Sequence, residues 1–120
     1  EMFVSHLAGT FQGNTTLYSI SGGYTACATM HIDSEYIAAL NASQFDPFTP
    51  NGNPNLNSLC NKLAKIIGPK GSVRVKILDK CRGCRYGDLA LSEPGVRAAI
   101  GDLSIGRARI KWKWLEKKSQ

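Results

Sequence analysis

The chain has 120 residues, 42% of them hydrophobic and 20% charged, which suits one folded domain rather than two. No apolar run approaches the roughly 20 residues that a transmembrane helix needs, so we expect no membrane protein. The net charge is +6, and all 15 Lys and Arg residues fall within residues 62–120. This basic half suits an anionic partner, although a solvated surface has the same composition.

About six predicted strands follow one another along the chain, with at most two short helices. Five of them, in chain order, cover residues 24–31, 36–40, 59–67, 72–78 and 105–114. The predicted loops, rich in Gly, Pro, Asn and Ser, cover residues 13–23, 46–57 and 68–71. The strand over residues 105–114 alternates most clearly, with four basic residues on one face and Trp112 and Trp114 on the other. Several short strands separated by turns are typical of an all-β barrel.

The stretch over residues 72–92 has the most specific order of elements. A strand with one apolar and one basic face ends at Asp79, and a tight loop from Cys81 to Cys84 follows. After Asp88 comes a short apolar segment, and Ser92 is the predicted N-cap of a short helix.

The Cys81-x-x-Cys84 spacing fits a redox pair, half of a zinc site or a structural disulfide. A redox pair normally lies at a helix N-terminus, which lowers the pKa of the thiol. Here a turn follows the motif instead, which disfavours a redox role. The chain offers no second Cys-x-x-Cys for a tetrahedral zinc site, so we expect a structural disulfide. Four cysteines in a small basic chain suit a secreted protein with two disulfides, but they allow three pairings.

The order of elements over residues 72–92 resembles the core of the double-psi β-barrel domain. Expansins, fungal loosenins, barwin-like plant proteins and the rare lipoprotein A family share this domain. Their pattern is a strand ending in Asp, then a Cys, a loop, and Asp-Leu-Asp-Leu-Ser opening a helix. Here Asp79 and Cys81 match the first two features, and the last one reads Asp-Leu-Ala-Leu-Ser over residues 88–92, with Ala90 in place of the second Asp.

The resemblance covers residues 8–114 and implies an all-β fold, a single six-stranded double-psi β-barrel with short helices. Residues 8–11 resemble the first strand of that barrel. We therefore expect a lead-in over residues 1–7, the barrel domain over residues 8–115 and a polar tail over residues 116–120. The resemblance also implies one disulfide between Cys27 and Cys60, which leaves Cys81 to pair with Cys84.

The resemblance further implies a groove that binds sugar chains through aromatic, hydroxyl and acidic side chains. The residues that match its lining are Thr10, Phe11, Tyr24, Asp79, Tyr86 and Asp88. Trp112 and Trp114 alternate with basic residues, which favours burial in the core over a place in the groove.

Glycoside hydrolysis needs two carboxyl groups about 5–9.5 Å apart, across the scissile bond. Ala90 replaces the second of them and is expected to face the groove, while Leu89 and Leu91 face the core. We therefore predict no catalytic residue, no cofactor and no metal. Two alternatives remain: Asp88 takes over as second carboxylate and some lytic activity survives, or Asp79 is only a structural hydrogen-bond acceptor.

Together these features predict a secreted, extracellular, monomeric expansin- or loosenin-like protein that binds cell-wall polysaccharide without hydrolysing it. The chain ends just past the last predicted strand, so we expect a stand-alone barrel without the second domain of full expansins. The partner would be cellulose, chitin or an anionic wall polymer. The basic strand faces suit such a polymer better than nucleic acid, for which no motif is present.

The alternative function is a defence or virulence module that binds a protein, such as an inhibitor of a cysteine protease.

Two sequons predict N-glycosylation at Asn14 and Asn41, which is compatible with export.

Overall fold

The computed structural model describes residues 8–18, 24–28 and 35–115. The predicted lead-in over residues 1–7 and the predicted tail over residues 116–120 lie outside these ranges. The strands are β1 (Phe11–Leu17), β2 (Ile37–Asn41), β3 (Leu63–Ile67), β4 (Ser72–Cys81), β5 (Leu89–Leu91) and β6 (Arg107–Trp114).

The six strands close into a barrel in the order β1, β5, β2, β4, β3, β6. The pairs β1–β5 and β2–β4 are parallel, and the other four pairs are antiparallel. Closure leaves no open sheet edge, which is how small all-β domains satisfy every strand's backbone groups. The predicted six-stranded β-barrel is confirmed.

Among the described residues, two short α-helices accompany the barrel, α1 (Ala42–Phe45) and α2 (Glu93–Ala99). The same part of the chain contains four 3₁₀ helices, over Asp46–Phe48, Pro50–Gly52, Pro54–Leu56 and Leu103–Ile105. Asn41 caps α1, because its side-chain oxygen accepts the backbone N–H of Gln44 at 2.9 Å. Ser92 precedes α2 as predicted, but its hydroxyl donates to the Glu35 carbonyl oxygen at 2.6 Å and makes no cap bond.

The core fills the barrel with the inward-facing residues of every strand. On β5, Leu89 and Leu91 are fully buried, and on β6 Ile110, Trp112 and Trp114 are 2%, 0% and 9% exposed. The prediction that both tryptophans are buried is therefore confirmed. The indole N–H of Trp112 also donates to the Gly87 carbonyl oxygen at 2.9 Å, which satisfies its one polar atom.

Three of the predicted strands differ substantially from the observed ones. The first strand is β1 (Phe11–Leu17), where the resemblance predicted a strand over residues 8–11 and the composition predicted a loop from residue 13. Pairing with β5 on one side and β6 on the other stabilises this polar, threonine-containing segment as a strand.

The strand predicted over residues 59–67 begins only at Leu63, because a turn precedes it in which Asn61 has φ of 73°. The strand predicted over residues 24–31 is a turn in its described part, residues 24–28, apart from one bridge residue at Tyr24. Residues 29–31 lie outside the described residues.

Two disulfides form, Cys27 with Cys60 and Cys81 with Cys84, and no cysteine is free. Both predicted pairings are confirmed. The first disulfide joins residues 24–28 to the turn before β3, and the Cys27 N–H donates to the Leu78 carbonyl oxygen of β4 at 3.1 Å. The segment over residues 24–28 is therefore attached to the barrel wall close to Asp79.

Candidate functional site

Four residues from four neighbouring strands lie in one line on the outer face of the barrel. Thr16 of β1 lies opposite Ala90 of β5, Ala90 lies opposite Ala39 of β2, and Ala39 lies opposite Asp79 of β4. We call Thr16, Ala90, Ala39 and Asp79 the central row. Residues directly opposite one another on paired strands point to the same face. The central row therefore contains one carboxylate, on Asp79.

Ala90 does not belong to the core, but it is covered. Its neighbours Leu89 and Leu91 are part of the core cluster, whereas Ala90 is not and is only 5% exposed. The Tyr18 hydroxyl, just after β1, donates to Oδ2 of Asp79 on β4. Because β5 and β2 lie between β1 and β4, the Tyr18 side chain must cross the small side chains of Ala90 and Ala39.

Both carboxylate oxygens of Asp79 have hydrogen-bond donors. Oδ2 accepts the Tyr18 hydroxyl, and Oδ1 accepts the backbone N–H groups of Ala26 and Lys80, each at 2.8 Å. Asp79 thus connects the end of β1, the segment over residues 24–28 and β4. Sequence reasoning missed Tyr18, because it lies in a segment that the composition predicted as a loop and no local pattern relates it to Asp79.

Asp88, the predicted alternative acid, closes a turn against β1. It is 7% exposed, its Oδ1 accepts the Asn14 N–H at 2.9 Å and its Oδ2 accepts the Arg85 N–H at 3.1 Å. The Arg107 guanidinium lies 3.9 Å from Oδ2. A Cβ atom at Gly13 would lie 2.3 Å from the Gly87 carbonyl oxygen, so only glycine permits this close contact between β1 and the turn.

The predicted aromatic residues Phe11 and Tyr86 lie together at one end of the barrel. Their ring centroids are 6.3 Å apart with the rings edge to face, and Phe11 packs in turn on Trp112 at 4.7 Å. Tyr86 is 63% exposed. It also lines a cleft of about 270 Å³ whose walls include Phe48, Leu59 and Trp114. We call this cleft, with Tyr86 at its side, the aromatic cleft.

Tyr24 and Thr10 are the remaining predicted groove residues. Tyr24 is 74% exposed and belongs to the segment whose Ala26 N–H donates to Asp79. Thr10 is exposed and immediately precedes Phe11, the first residue of β1. Thr16, and not Thr10, lies opposite Ala90. Of the six predicted residues, the structure thus brings Phe11 and Tyr86 into contact, and it places Tyr24 in the segment that is hydrogen-bonded to Asp79.

The two predicted glycosylation sites differ in their surroundings. Asn14 lies half-buried on β1. Asn41 is fully buried, and its side-chain nitrogen donates to Gln44 Oε1 at 2.7 Å and to the Asp88 carbonyl oxygen at 3.0 Å. A glycan on Asn41 is incompatible with this packing, so that part of the prediction is corrected.

Within the described ranges 8–18, 24–28 and 35–115, no group of three or more His, Cys, Asp or Glu side chains is placed to hold a metal ion. No helix within those ranges is long and apolar enough to cross a membrane.

The sequence matches no protein-family profile and no curated protein. Solved structures do match it. An Asp-to-Asn mutant of the expansin from Clavibacter michiganensis, in complex with cellohexaose, superposes with a TM-score of 0.76 at 27% identity. The match covers 93% of this chain and 53% of the expansin, so the chain spans about half the length of that protein.

The Streptomyces papain inhibitor superposes with a TM-score of 0.79 at 26% identity, covering 92% of this chain and 97% of the inhibitor. The fungal elicitor cerato-platanin has the same fold, with a TM-score of 0.59 at 12% identity.

The chain folds as a double-psi β-barrel and is similar to the barrels of the expansin and of the papain inhibitor. The predicted resemblance and the predicted fold are both confirmed. In this barrel, Asp79 in the central row is hydrogen-bonded by three groups, and Asp88 is bonded to two backbone N–H groups. Tyr86, in contrast, is largely exposed.

Proposed function

We propose that this protein is secreted and binds a cell-wall polysaccharide without hydrolysing it. The observation that carries the proposal is the position of Tyr86. Its ring is largely exposed, is held edge-on by Phe11 and lies beside a cleft of about 270 Å³. Pyranose rings present flat C–H faces, and an aromatic ring held in one orientation is suited to stack on them.

The central row supports the non-hydrolytic part of the proposal. Acid–base cleavage of a glycosidic bond needs a second carboxyl group besides Asp79, and Ala90, two strands away in the central row, offers a methyl group instead. Asp88 is a poor substitute, because proton transfer would break the bonds by which it holds its turn to β1. The Clavibacter expansin in complex with cellohexaose supports a glucan as ligand.

Two disulfides in a chain of this size support an oxidising compartment, and therefore secretion. The proposed ligands are insoluble wall polymers such as cellulose and chitin. We propose that the polysaccharide lies along the surface from Tyr86 and Phe11 towards Tyr24 and Asp79. The hydroxyls of Thr10 and Thr16 are then available to hydrogen-bond sugar hydroxyls.

Binding to insoluble polymers tests the proposal. The protein is incubated with cellulose, chitin or peptidoglycan, and the bound fraction is measured for the unmodified protein, Tyr86→Ala and Tyr36→Ala. Tyr36 is a matched control, because it is a tyrosine that is 51% exposed and does not line the aromatic cleft. An aromatic contact contributes about 0.5–1.5 kcal/mol, so Tyr86→Ala should weaken binding roughly 2- to 13-fold. Equal weakening by both variants, or no binding to any polymer, would contradict the proposal.

A second experiment tests whether the protein is an enzyme. We expect the unmodified protein to release no reducing sugar from cellulose, xylan, chitin or peptidoglycan. Release that disappears in Asp79→Asn or Asp88→Asn would show that these two residues form a working acid–base pair. Ala90→Asp places a second carboxylate two strands from Asp79, about 10 Å between Cα atoms. A gain of lytic activity in this variant would indicate that Ala90 is what blocks hydrolysis.

The second candidate function is inhibition of a cysteine protease. One observation favours it: the match to the Streptomyces papain inhibitor covers nearly all of both chains, whereas the expansin extends far beyond this one. Inhibition of papain at a 1:1 ratio, together with the absence of binding to all three polymers, would favour this function over the first.

A further inference from the structure

Six basic residues form one continuous surface on the outside of β3, β4 and β6. The sequence separates them into different strands, but β3 lies between β4 and β6 in the closed barrel. Apart from Arg107, whose guanidinium lies 3.9 Å from Asp88 Oδ2, the basic residues that share this outer face are Lys65, Arg74, Lys76, Arg109, Lys111 and Lys113. We call these six residues the cationic face.

Three of these cations stand in a straight row across the sheet. Lys113 of β6 lies opposite Lys65 of β3, and Lys65 lies opposite Arg74 of β4. Adjacent strands are about 4.8 Å apart, so the row brings three like charges together. Like charges directly opposite each other on paired strands destabilise a sheet. This arrangement therefore lowers the stability of the barrel unless an anion occupies it.

No carboxylate of the described residues neutralises the cationic face. The ion pairs among those residues join Lys80 to Asp46, Arg97 to Glu93 and Arg107 to Asp88, and none involves a member of the face. Beside the row lie two further cations of the face, Lys76 and Lys111, and apolar side chains such as Leu63, which is 40% exposed. The positive potential of the row is therefore directed at solvent.

We propose that the cationic face binds a linear polysaccharide that carries carboxylate groups. A shallow groove of about 350 Å³ follows the row and is lined by Lys65, Arg74 and Lys113 together with Ser72, Val73 and Leu115. Carboxylates spaced along an extended polymer can pair with the cations in succession, while the polymer backbone stays in water. None of the six residues of the cationic face belongs to the central row or lines the aromatic cleft, so the proposal stands independently of the proposed function.

Three features favour a polysaccharide over a nucleic acid. The groove of the cationic face has no aromatic side chain in its described lining on which a base could stack. On the neighbouring strand, Gln12 and Asn14 lie opposite Lys111 and Arg109 and present amide groups to the same side, which suit sugar hydroxyls. The two disulfides favour an extracellular protein, and nucleic acid is scarce outside the cell.

The test compares two triple variants that have the same net charge. Lys65→Gln/Arg74→Gln/Lys113→Gln removes the row, and Lys70→Gln/Arg82→Gln/Arg97→Gln removes three exposed charges elsewhere. Each variant changes the formal net charge from +6 by three units, to +3. Affinity is measured by isothermal titration with polygalacturonate at low salt, and a neutral soluble cellulose derivative serves as the uncharged probe.

An exposed ion pair contributes up to about fivefold in affinity, so loss of the row should weaken polygalacturonate binding about tenfold or more. The control variant should change it less than threefold. Binding by the unmodified protein should also fall steeply as salt rises to about 0.5 M, because the Debye length shortens to a few Å. The row variant should bind insoluble cellulose unchanged, which separates this proposal from the role of Tyr86.

Equal weakening by both triple variants would overturn the proposal, since net charge alone would then explain binding. Displacement of polygalacturonate by a lower concentration of duplex DNA or of phosphatidylserine vesicles would also overturn it in favour of that other partner. Removing the row should not lower the melting temperature, because three mutually repelling charges are lost.

Discussion

Replacing Asp79 tests whether the hydrogen bonds that its carboxylate accepts stabilise the fold. Asp79→Ala removes the acceptor of two long-range hydrogen bonds, from the Tyr18 hydroxyl and the Ala26 N–H. A hydrogen bond to a charged group contributes about 1.5–3 kcal/mol, so losing both should lower the free energy of unfolding by about 3–6 kcal/mol. Asp79→Asn keeps one acceptor oxygen and should lower it by about half as much.

Urea denaturation followed by tryptophan fluorescence measures this effect. With an m-value of about 1.5 kcal/mol/M, Asp79→Ala should lower the midpoint by about 2–4 M. Asp46→Ala is the matched control, because its carboxylate is 54% exposed and makes one ion pair, with Lys80 at 3.0 Å. Such a pair contributes about 0–1 kcal/mol.

The reasoning would be refuted if Asp79→Ala and Asp46→Ala shifted the urea midpoint by the same small amount. In that case the three hydrogen bonds to Asp79 would not stabilise the fold, and a purely functional role for the carboxylate would be favoured. Loss of polysaccharide binding in Asp79→Asn with an unchanged midpoint would point to the same conclusion.

Three further predictions concern the disulfides and the glycine contact. Thiol labelling under denaturing, non-reducing conditions should find no reactive cysteine, and labelling of two or more would contradict both disulfides. The double variant Cys27→Ser/Cys60→Ser removes a cross-link between residues 33 apart. Its free energy of unfolding should be lower by about 3–4 kcal/mol, which a lower melting temperature would show. Gly13→Ala places a Cβ atom 2.3 Å from the Gly87 carbonyl oxygen, so it should lower the free energy of unfolding by about 2 kcal/mol or more. In the control Gly83→Ala, the Cβ atom meets no other atom within 4 Å, so the free energy of unfolding should not change.

Local patterns were sufficient for much of the fold. The alternation over residues 105–114 predicted β6 and the burial of both tryptophans, because a strand's two faces can be read from the sequence alone. The order of elements over residues 72–92 identified the double-psi β-barrel, and the disulfide pairing followed from that resemblance. The boundaries of β1 were missed, because pairing on both sides overrides a loop-like composition.

Part of the aromatic site could also be predicted. Phe11 and Tyr86 were both expected in a groove, and they meet at a centroid distance of 6.3 Å. Their contact with Trp112 and the cleft beside Tyr86 could not be predicted, because these features depend on how β1 and the turn before β5 close the barrel end.

Other features exist only because distant strands become neighbours. Tyr18 and Asp79 are 61 residues apart, and their contact depends on β5 and β2 lying between β1 and β4. The cationic face likewise arises because β3 inserts Lys65 between Arg74 and Lys113. Strand order and register are set by closing the whole barrel, and the alternation within a single strand carries no information about which strand will lie beside it.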